Sequence, residues 1–199
     1  MSADPATLAF FDENAEVFGD HAEAHADHTR LDAFVRALPE GGRVLDYGCG
    51  TGWASAALIE KGFRADATDA SDAMIAEAQR RHGLTPRKAV FRTLSVRQRY
   101  DAIWCWNALH HAERADRAAI FERMGTALRP GAPLFLSVLK GPVDWRDERG
   151  CLYSPFREDE MTDLLTSGGF DAPDYDHGTG RLFDGKPVLM LYVRARANG

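Results

Sequence analysis

The stretch RVLDYGCGTGW, Arg43 to Trp53, places Gly48, Gly50 and Gly52 behind a short apolar run that ends in an aspartate. A glycine loop of this kind cradles a nucleotide-like cofactor, and its spacing discriminates among them. The dinucleotide fingerprint is G-x-G-x-x-G, whose third glycine allows helix and strand to approach closely. Trp53 stands at that position here, so the fingerprint fails. No Gly-Lys-Ser/Thr follows, which excludes a P-loop. Asp46, ahead of Gly48, repels a pyrophosphate but attracts an amino group. The order of residues favours a zwitterionic cofactor that carries an amino acid.

Outward from the loop, strand and helix patterns alternate. RVLDYG reads as a buried strand and WASAALIEKG as a helix. FRADATDAS is a second strand ending in Asp69, and DAMIAEAQRRHG is a helix stopped at Gly83. RKAVFRT carries weak strand signal, whereas YDAIWCW is a strong β-branched and aromatic strand. RADRAAIFERMGTALRPG is a helix, APLFLSVL a strand, REDEMTDLLTSGGF a helix and KPVLMLYVRAR a closing strand. Upstream, the segment from Leu8 to Gly42 reads as helical, with Gly19 interrupting it and Pro39, Gly41 and Gly42 ending it. The alternation predicts an α/β fold, a parallel sheet with right-handed crossovers and helices on both faces. A carboxylate at the end of the second strand, here Asp69, accepts hydrogen bonds from ribose hydroxyls.

The 199 residues suit a single domain over 1–199, with a helical cap over 1–40 and a core over 41–199. Hydrophobic residues at 45% and charged residues at 27% are ordinary for a globular protein. A net charge of −6 argues against nucleic acid as the main partner. The run from Gln79 to Tyr100 is rich in arginine, and a solvated basic face is preferred over a docking site for an acidic partner. Cys49, Cys105 and Cys151 form no CxxC pair, so neither a zinc knuckle nor a disulfide framework is expected. No apolar run suits a membrane span and no basic-then-apolar leader opens the chain, so a cytoplasmic protein is expected.

VLDYGCGTGWASAAL, ATDASDAMIAEAQRR, the segment from Tyr100 to Val138 and REDEMTDLLTSGGF together resemble class I S-adenosylmethionine-dependent methyltransferases. The resemblance covers nearly the whole chain. A narrower similarity, carried by KGPVDWRDERGCLYSPFREDEMTDLL and FDGKPVLMLYV, is to small bacterial methyltransferases often labelled tellurite-resistance-like. It implies a Rossmann-like three-layer sandwich with a seven-stranded, mostly parallel sheet, order 3-2-1-4-5-7-6, the last strand antiparallel. It implies S-adenosyl-L-methionine as cofactor, with Asp46, Gly48 and Gly50 at the methionine end, Asp69 on the ribose, and Ala70 and Met74 beside the nucleoside. Cys105, Trp106 and Asn107 would face the methyl group, while Tyr47, Cys49, Ser71, Thr93 and Leu94 complete the expected cofactor set. Thr93 stands where relatives commonly have an acid, Phe11 and Phe18 where they often have tyrosine, and Tyr47 where they mostly have an aliphatic residue.

A sulfonium methyl is already activated, so the protein must align donor and acceptor and exclude water. A base is needed where the acceptor arrives protonated. His111 in NALHHAE, just past the fourth strand, is the candidate, with purely structural hydrogen bonding as its alternative. Asn107 would orient the acceptor or the cofactor, or cap a helix. His21, His25 and His28 share a helical face, read as a wet face partly lidding the cofactor rather than a metal site. The segment GPVDWRDERGCLYSPF is expected to form a substrate-side flap, with Trp145 and Tyr153 packing it shut or touching substrate. The leading reading is methyl transfer to a small-molecule acceptor, at oxygen, nitrogen or a chalcogen, by a monomer or homodimer. A non-catalytic S-adenosylmethionine binder, an RNA or protein methyltransferase and, most weakly, a nicotinamide dehydrogenase are the alternatives.

Overall fold

The computed structural model describes residues 3–199, so the first two residues of the expected cap lie outside it. The cap is α1 (Pro5–Ala24) and α2 (His28–Val35). Then follow β1 (Arg43–Tyr47), α3 (Trp53–Glu60), β2 (Arg64–Asp69), α4 (Asp72–His82), β3 (Arg87–Lys88), β4 (Ala102–Trp106), α5 (Arg117–Ala127) and β5 (Pro133–Leu139). A flap hairpin of β6 (Trp145–Arg146) and β7 (Leu152–Tyr153) precedes α6 (Glu158–Ser167), β8 (Asp174–Arg181) and β9 (Pro187–Arg196).

The main sheet runs β3-β2-β1-β4-β5-β9-β8, which is 3-2-1-4-5-7-6 once the two flap strands are left uncounted. The strands β1 to β5 pair in parallel, and β9 is antiparallel to both β5 and β8. Alternate residues of a strand face opposite sides, so β4 sends Ile103 and Cys105 into one core and Ala102 and Trp104 into the other. The first core holds Leu45, Phe121, Leu136 and Leu165, and the second holds Leu31, Phe34, Leu58 and Phe135.

Three local expectations are corrected. Gly19 does not interrupt α1: a Cβ there would lie 2.5 Å from Cζ of Arg81. The bare backbone lets Arg81 of α4 cross the helix and donate to the Glu16 carbonyl at 2.8 Å and to Asp20 at 2.9 Å. The cap breaks instead at 25–27, where Asp27 accepts the Arg30 amide at 2.9 Å and starts α2. The third strand shrinks to Arg87–Lys88 and gives way to a single 3-10 turn, Phe91–Thr93. The edge strand β8 is invisible to pattern reading because DYDHGTGR carries two glycines and almost no apolar residue.

The arginine-rich run is largely paired: Arg80 with Glu77, Arg81 with Asp20 and Glu77, Lys88 with Asp72, Arg92 with Asp116 and Arg99 with Asp66. None of the described helices is long and apolar enough to cross a membrane.

At Gly125 a Cβ would sit 2.0 Å from the Gly168 carbonyl oxygen, so α5 meets the end of α6 backbone to backbone. Gly125→Ala is expected to destabilise the protein by about 1–3 kcal/mol, the usual range for overpacking. Thermal unfolding checks it, as a fall in Tm of roughly 3–10 °C.

Candidate active site

The sheet reverses its strand order between β1 and β4, and the carboxyl ends of these strands open into a cavity of about 370 Å³. Such a switch point is where open α/β sheets hold ligands. The glycine loop leaves β1 here. Gly48 has φ +81°, and a Cβ on it would lie 2.5 Å from Cβ of Ala108. Gly50 has φ +53°, with no atom within 4 Å of where its Cβ would stand. Gly48 thus serves close packing, whereas Gly50 keeps a clear approach to the backbone.

The Asp69 carboxylate, at the end of β2, accepts the Gly50 amide at 2.8 Å and the Ser71 amide at 3.0 Å. Burial raises its pKa, and these amides act in the opposite direction. Ser71 caps α4 by accepting the Met74 amide at 3.1 Å, and its hydroxyl donates to Asp12 of α1 at 2.6 Å. Tyr47, Gly48, Cys49, Gly50, Asp69, Ala70, Ser71 and Met74 all line the cavity.

Four of the expected cofactor residues do not line it. Asp46 is buried behind the loop, where Ser55 donates to its carboxylate at 2.7 Å. Burial lifts its pKa to about 7. The Thr93 hydroxyl donates to the Val90 carbonyl at 2.8 Å and faces solvent, so Ala89, Val90, Phe91 and Arg92 form that wall instead. Leu94 and Cys105 belong to the core beneath the sheet. Tyr47 is itself almost wholly buried: its ring meets Phe91 edge-on at 4.8 Å, and its hydroxyl donates to the Phe91 carbonyl.

At the end of β4, Asn107 adopts a left-handed φ of +53°, a region that asparagine tolerates better than most residues. The Ser137 hydroxyl donates to its Oδ1 at 2.5 Å, which leaves the Nδ2 hydrogens for the cavity. One turn later, His111 donates from Nδ1 to the Leu152 carbonyl at 2.8 Å. That bond fixes the neutral tautomer and leaves Nε2 as a lone-pair acceptor. Burial pushes the His111 pKa down to about 4. Leu152, on the flap, is pinned from the other side because its amide donates to Thr7 Oγ1 of α1 at 2.9 Å.

The cap and flap close the cavity together. Arg146 of the flap donates to Asp4 at 2.9 and 2.7 Å, and its guanidinium holds that carboxyl well below its ordinary range. Phe11 meets the His111 ring edge-on at 5.1 Å, and Tyr153 lies 5.1 Å from the same ring. Trp145 stacks on Tyr153 at 5.3 Å, so at least part of the flap's aromatic content packs it shut. His21 and His25 stack at 4.2 Å while His28 turns to Trp53. Among the described residues no group of three His, Cys, Asp or Glu side chains is placed to hold a metal ion. Thr7, Phe91 and Phe183 were missed by sequence reading. Phe183, an aromatic residue in the turn LFDGK, leaves the clearest trace.

A clear approach to Gly50, a carboxylate at the end of β2 and a cavity beyond them fit S-adenosylmethionine. A family model described as a methyltransferase domain matches residues 44–131. The chain is 37% identical over 119 residues to a ubiquinone biosynthesis O-methyltransferase of Xylella fastidiosa (strain 9a5c), across 55% of this chain and 47% of that protein. It therefore spans about half the length of the curated relatives it matches. Its fold matches that of a 1,6-didemethyltoxoflavin-N1-methyltransferase from Burkholderia thailandensis, with TM-score 0.74, 22% identity and coverage of 98% of this chain and 88% of that one. That structure holds 1,6-didemethyltoxoflavin and S-adenosylhomocysteine. An S-adenosylmethionine-dependent methyltransferase from Mesorhizobium loti matches with TM-score 0.62 and 22% identity, over 83% of this chain and 96% of that one. Residues 44–131 thus match a methyltransferase domain, and the sheet order is the one that the resemblance to class I S-adenosylmethionine-dependent methyltransferases implies.

Proposed function

We propose that this chain methylates a small-molecule acceptor whose nucleophilic atom is presented between Asn107 and His111. The observation that carries this reading is the His111 imidazole, which lines the same cavity as the glycine loop and has its tautomer set by Leu152. The relatives named for an O-methylation in ubiquinone biosynthesis and an N1-methylation of 1,6-didemethyltoxoflavin support an acceptor of this size class.

Asp69 is the group for the ribose hydroxyls, since each of its oxygens accepts one amide and keeps a lone pair. Gly48 to Gly50 would take the methionine end, and Met74 and Phe91 would flank the base. Asp46 acts from behind the loop as a positioning group held by Ser55. When bound, S-adenosylmethionine would supply an electrophilic methyl, its sulfur keeping the electron pair of the carbon–sulfur bond as the acceptor's lone pair takes the carbon. His111 Nε2 receives the acceptor's proton, and Asn107 Nδ2 orients the acceptor. The cap and flap exclude water, which strengthens each of these interactions.

His111→Gln keeps a donor for the Leu152 carbonyl but removes the base. It is expected to lower kcat by about 10²-fold, the lower end of the general-base range because burial leaves Nε2 a weak base, while S-adenosylhomocysteine affinity stays within about twofold. Turnover is read as S-adenosylhomocysteine formed with a metabolite extract, followed by mass analysis of the product. Unchanged kcat would remove His111 from the chemistry, and no product from the wild type would leave a binder rather than an enzyme. Asp69→Ala is expected to weaken S-adenosylhomocysteine binding by roughly 10–100-fold in calorimetry, the scale of a bond to a charged group.

The same histidine makes a separate prediction about stability. Its pKa is lowered from 6.5 to about 4 in the folded protein, so between these values the unfolded chain binds the extra proton. The penalty is absent above pH 6.5 and grows as pH falls towards 4. Urea midpoints at pH 7 and pH 5 are expected to fall further apart for the wild type than for His111→Gln.

A further inference from the structure

The cavity also has aromatic walls. Trp104 and Trp106 leave β4 on the same face with ring planes 4° apart and centroids 5.6 Å apart. Trp104 stacks on Phe135 of β5 at 4.4 Å and 13°, and Trp106 on Tyr192 of β9 at 6.0 Å and 25°. These rings form one nearly parallel row across three strands. Its inner members are buried, and Trp106, half-buried at the carboxyl end of β4, lines the cavity beside Asn107. Opposite, Phe18 of α1 stacks on Phe183 of the β8–β9 turn at 5.9 Å and 29°. Phe10 closes on Phe183 edge-on at 5.6 Å.

Most formal charges around these rings have partners among the described residues. Asp27 caps α2 and pairs with Arg30 at 3.1 Å, Asp4 pairs with Arg146, and Arg181 donates to the Gly185 carbonyl at 2.9 Å. His21 has its pKa lowered by burial, and His25 donates from Nδ1 to the His21 carbonyl at 2.8 Å. A carboxylate or phosphate held between these rings would be desolvated, and Arg181, which has no carboxylate partner among the described residues, is exposed rather than buried beside them. A flat ring would instead pack against the half-buried Trp106 where it meets the cavity.

From the aromatic row, the aromatic roof and the paired charges between them, we propose that the acceptor is a flat, uncharged aromatic or heteroaromatic molecule. It lies against Trp106 and under Phe18 and Phe183, with its nucleophilic atom towards Asn107 and His111. The statement about the nucleophile rests on the methyl-transfer reading above; the ring selectivity does not.

The test is calorimetric titration of the full chain with three probes, with and without S-adenosylhomocysteine. They are 2-naphthol, its saturated counterpart trans-2-decalol, and 3-hydroxy-2-naphthoate, which adds a carboxylate. 2-Naphthol is expected to bind at least about tenfold more tightly than either of the others, about 1.4 kcal/mol. Trp106→Leu is expected to shrink its advantage over the saturated ring to about threefold or less. Phe183→Leu, at the half-buried roof, should reduce the same ratio and serves where the Trp106 variant fails to fold. Equal binding of the saturated ring, tighter binding of the naphthoate, no binding of any probe, or an unchanged ratio in the folded variants would overturn the proposal. Failure of the wild type to bind S-adenosylhomocysteine would overturn the cofactor reading instead, and the probe series without it would still decide ring selectivity.

Discussion

The Asp69 carboxylate, accepting amides from Gly50 and Ser71 at 2.8 and 3.0 Å, is the constraint on which the rest of the site depends. Burying a carboxylate is costly unless donors surround it, and the raised pKa of Asp69 records that cost. The donors are the backbone of the glycine loop and the first residues before α4, so stabilising the charge also fixes the loop. The constraint continues outward: Ser71 donates to Asp12, and α1 is drawn over the end of β2. One carboxylate thereby couples strand, loop, helix and cap.

A second chain of bonds meets the first from the other side. Asp4 accepts from both Thr7 and Arg146, the Thr7 hydroxyl accepts from the Leu152 amide, and the Leu152 carbonyl accepts from His111 Nδ1. The start of the cap, the flap and the proposed base therefore form a single hydrogen-bonded series. Its outer member is a charge pair with Asp4 almost buried, so screening by salt is weaker than at an exposed pair. His111 owes its usable lone pair to this arrangement, because a donor bond at Nδ1 decides which nitrogen stays bare.

The parts legible in the sequence are those governed by periodicity and by glycine geometry. AIWCW alternates between two cores as its residue order requires, and the loop glycines occupy positive φ. The sheet order came through the family resemblance rather than through the residues, since DYDHGTGR gives no strand signal. Side-chain direction was the part least legible. Asp46 lies at a strand end like Asp69, yet Ser55 lies within hydrogen-bonding distance and holds it behind the loop. Thr93 ends a 3-10 turn whose geometry turns its hydroxyl back onto Val90. Tyr47 packs under the sheet end, bonded to Phe91, and so supports the wall that Thr93 was expected to form. Only the Tyr47 partner is distant in sequence; for Asp46 and Thr93 the partner is nearby, but which way the side chain turns is set by the folded backbone rather than by residue pattern.

The closeness of β1 and β4 explains why two backbone irregularities sit side by side at the crevice. These strands are hydrogen-bonded neighbours, so the loops leaving them must diverge within one or two residues. Gly48 turns away with φ +81° and still comes close enough to Ala108 that a Cβ would collide with it. Asn107, the first residue after β4, turns with φ +53° and relies on Ser137 to hold its side chain. A left-handed non-glycine residue costs free energy that surrounding structure must offset, and the Ser137 hydroxyl and carbonyl both bond to Asn107. Straighter exits would relieve the turns but fill the space that separates them. Gly48 takes its positive φ freely and Asn107 at a cost that Ser137 offsets, and both residues line the crevice.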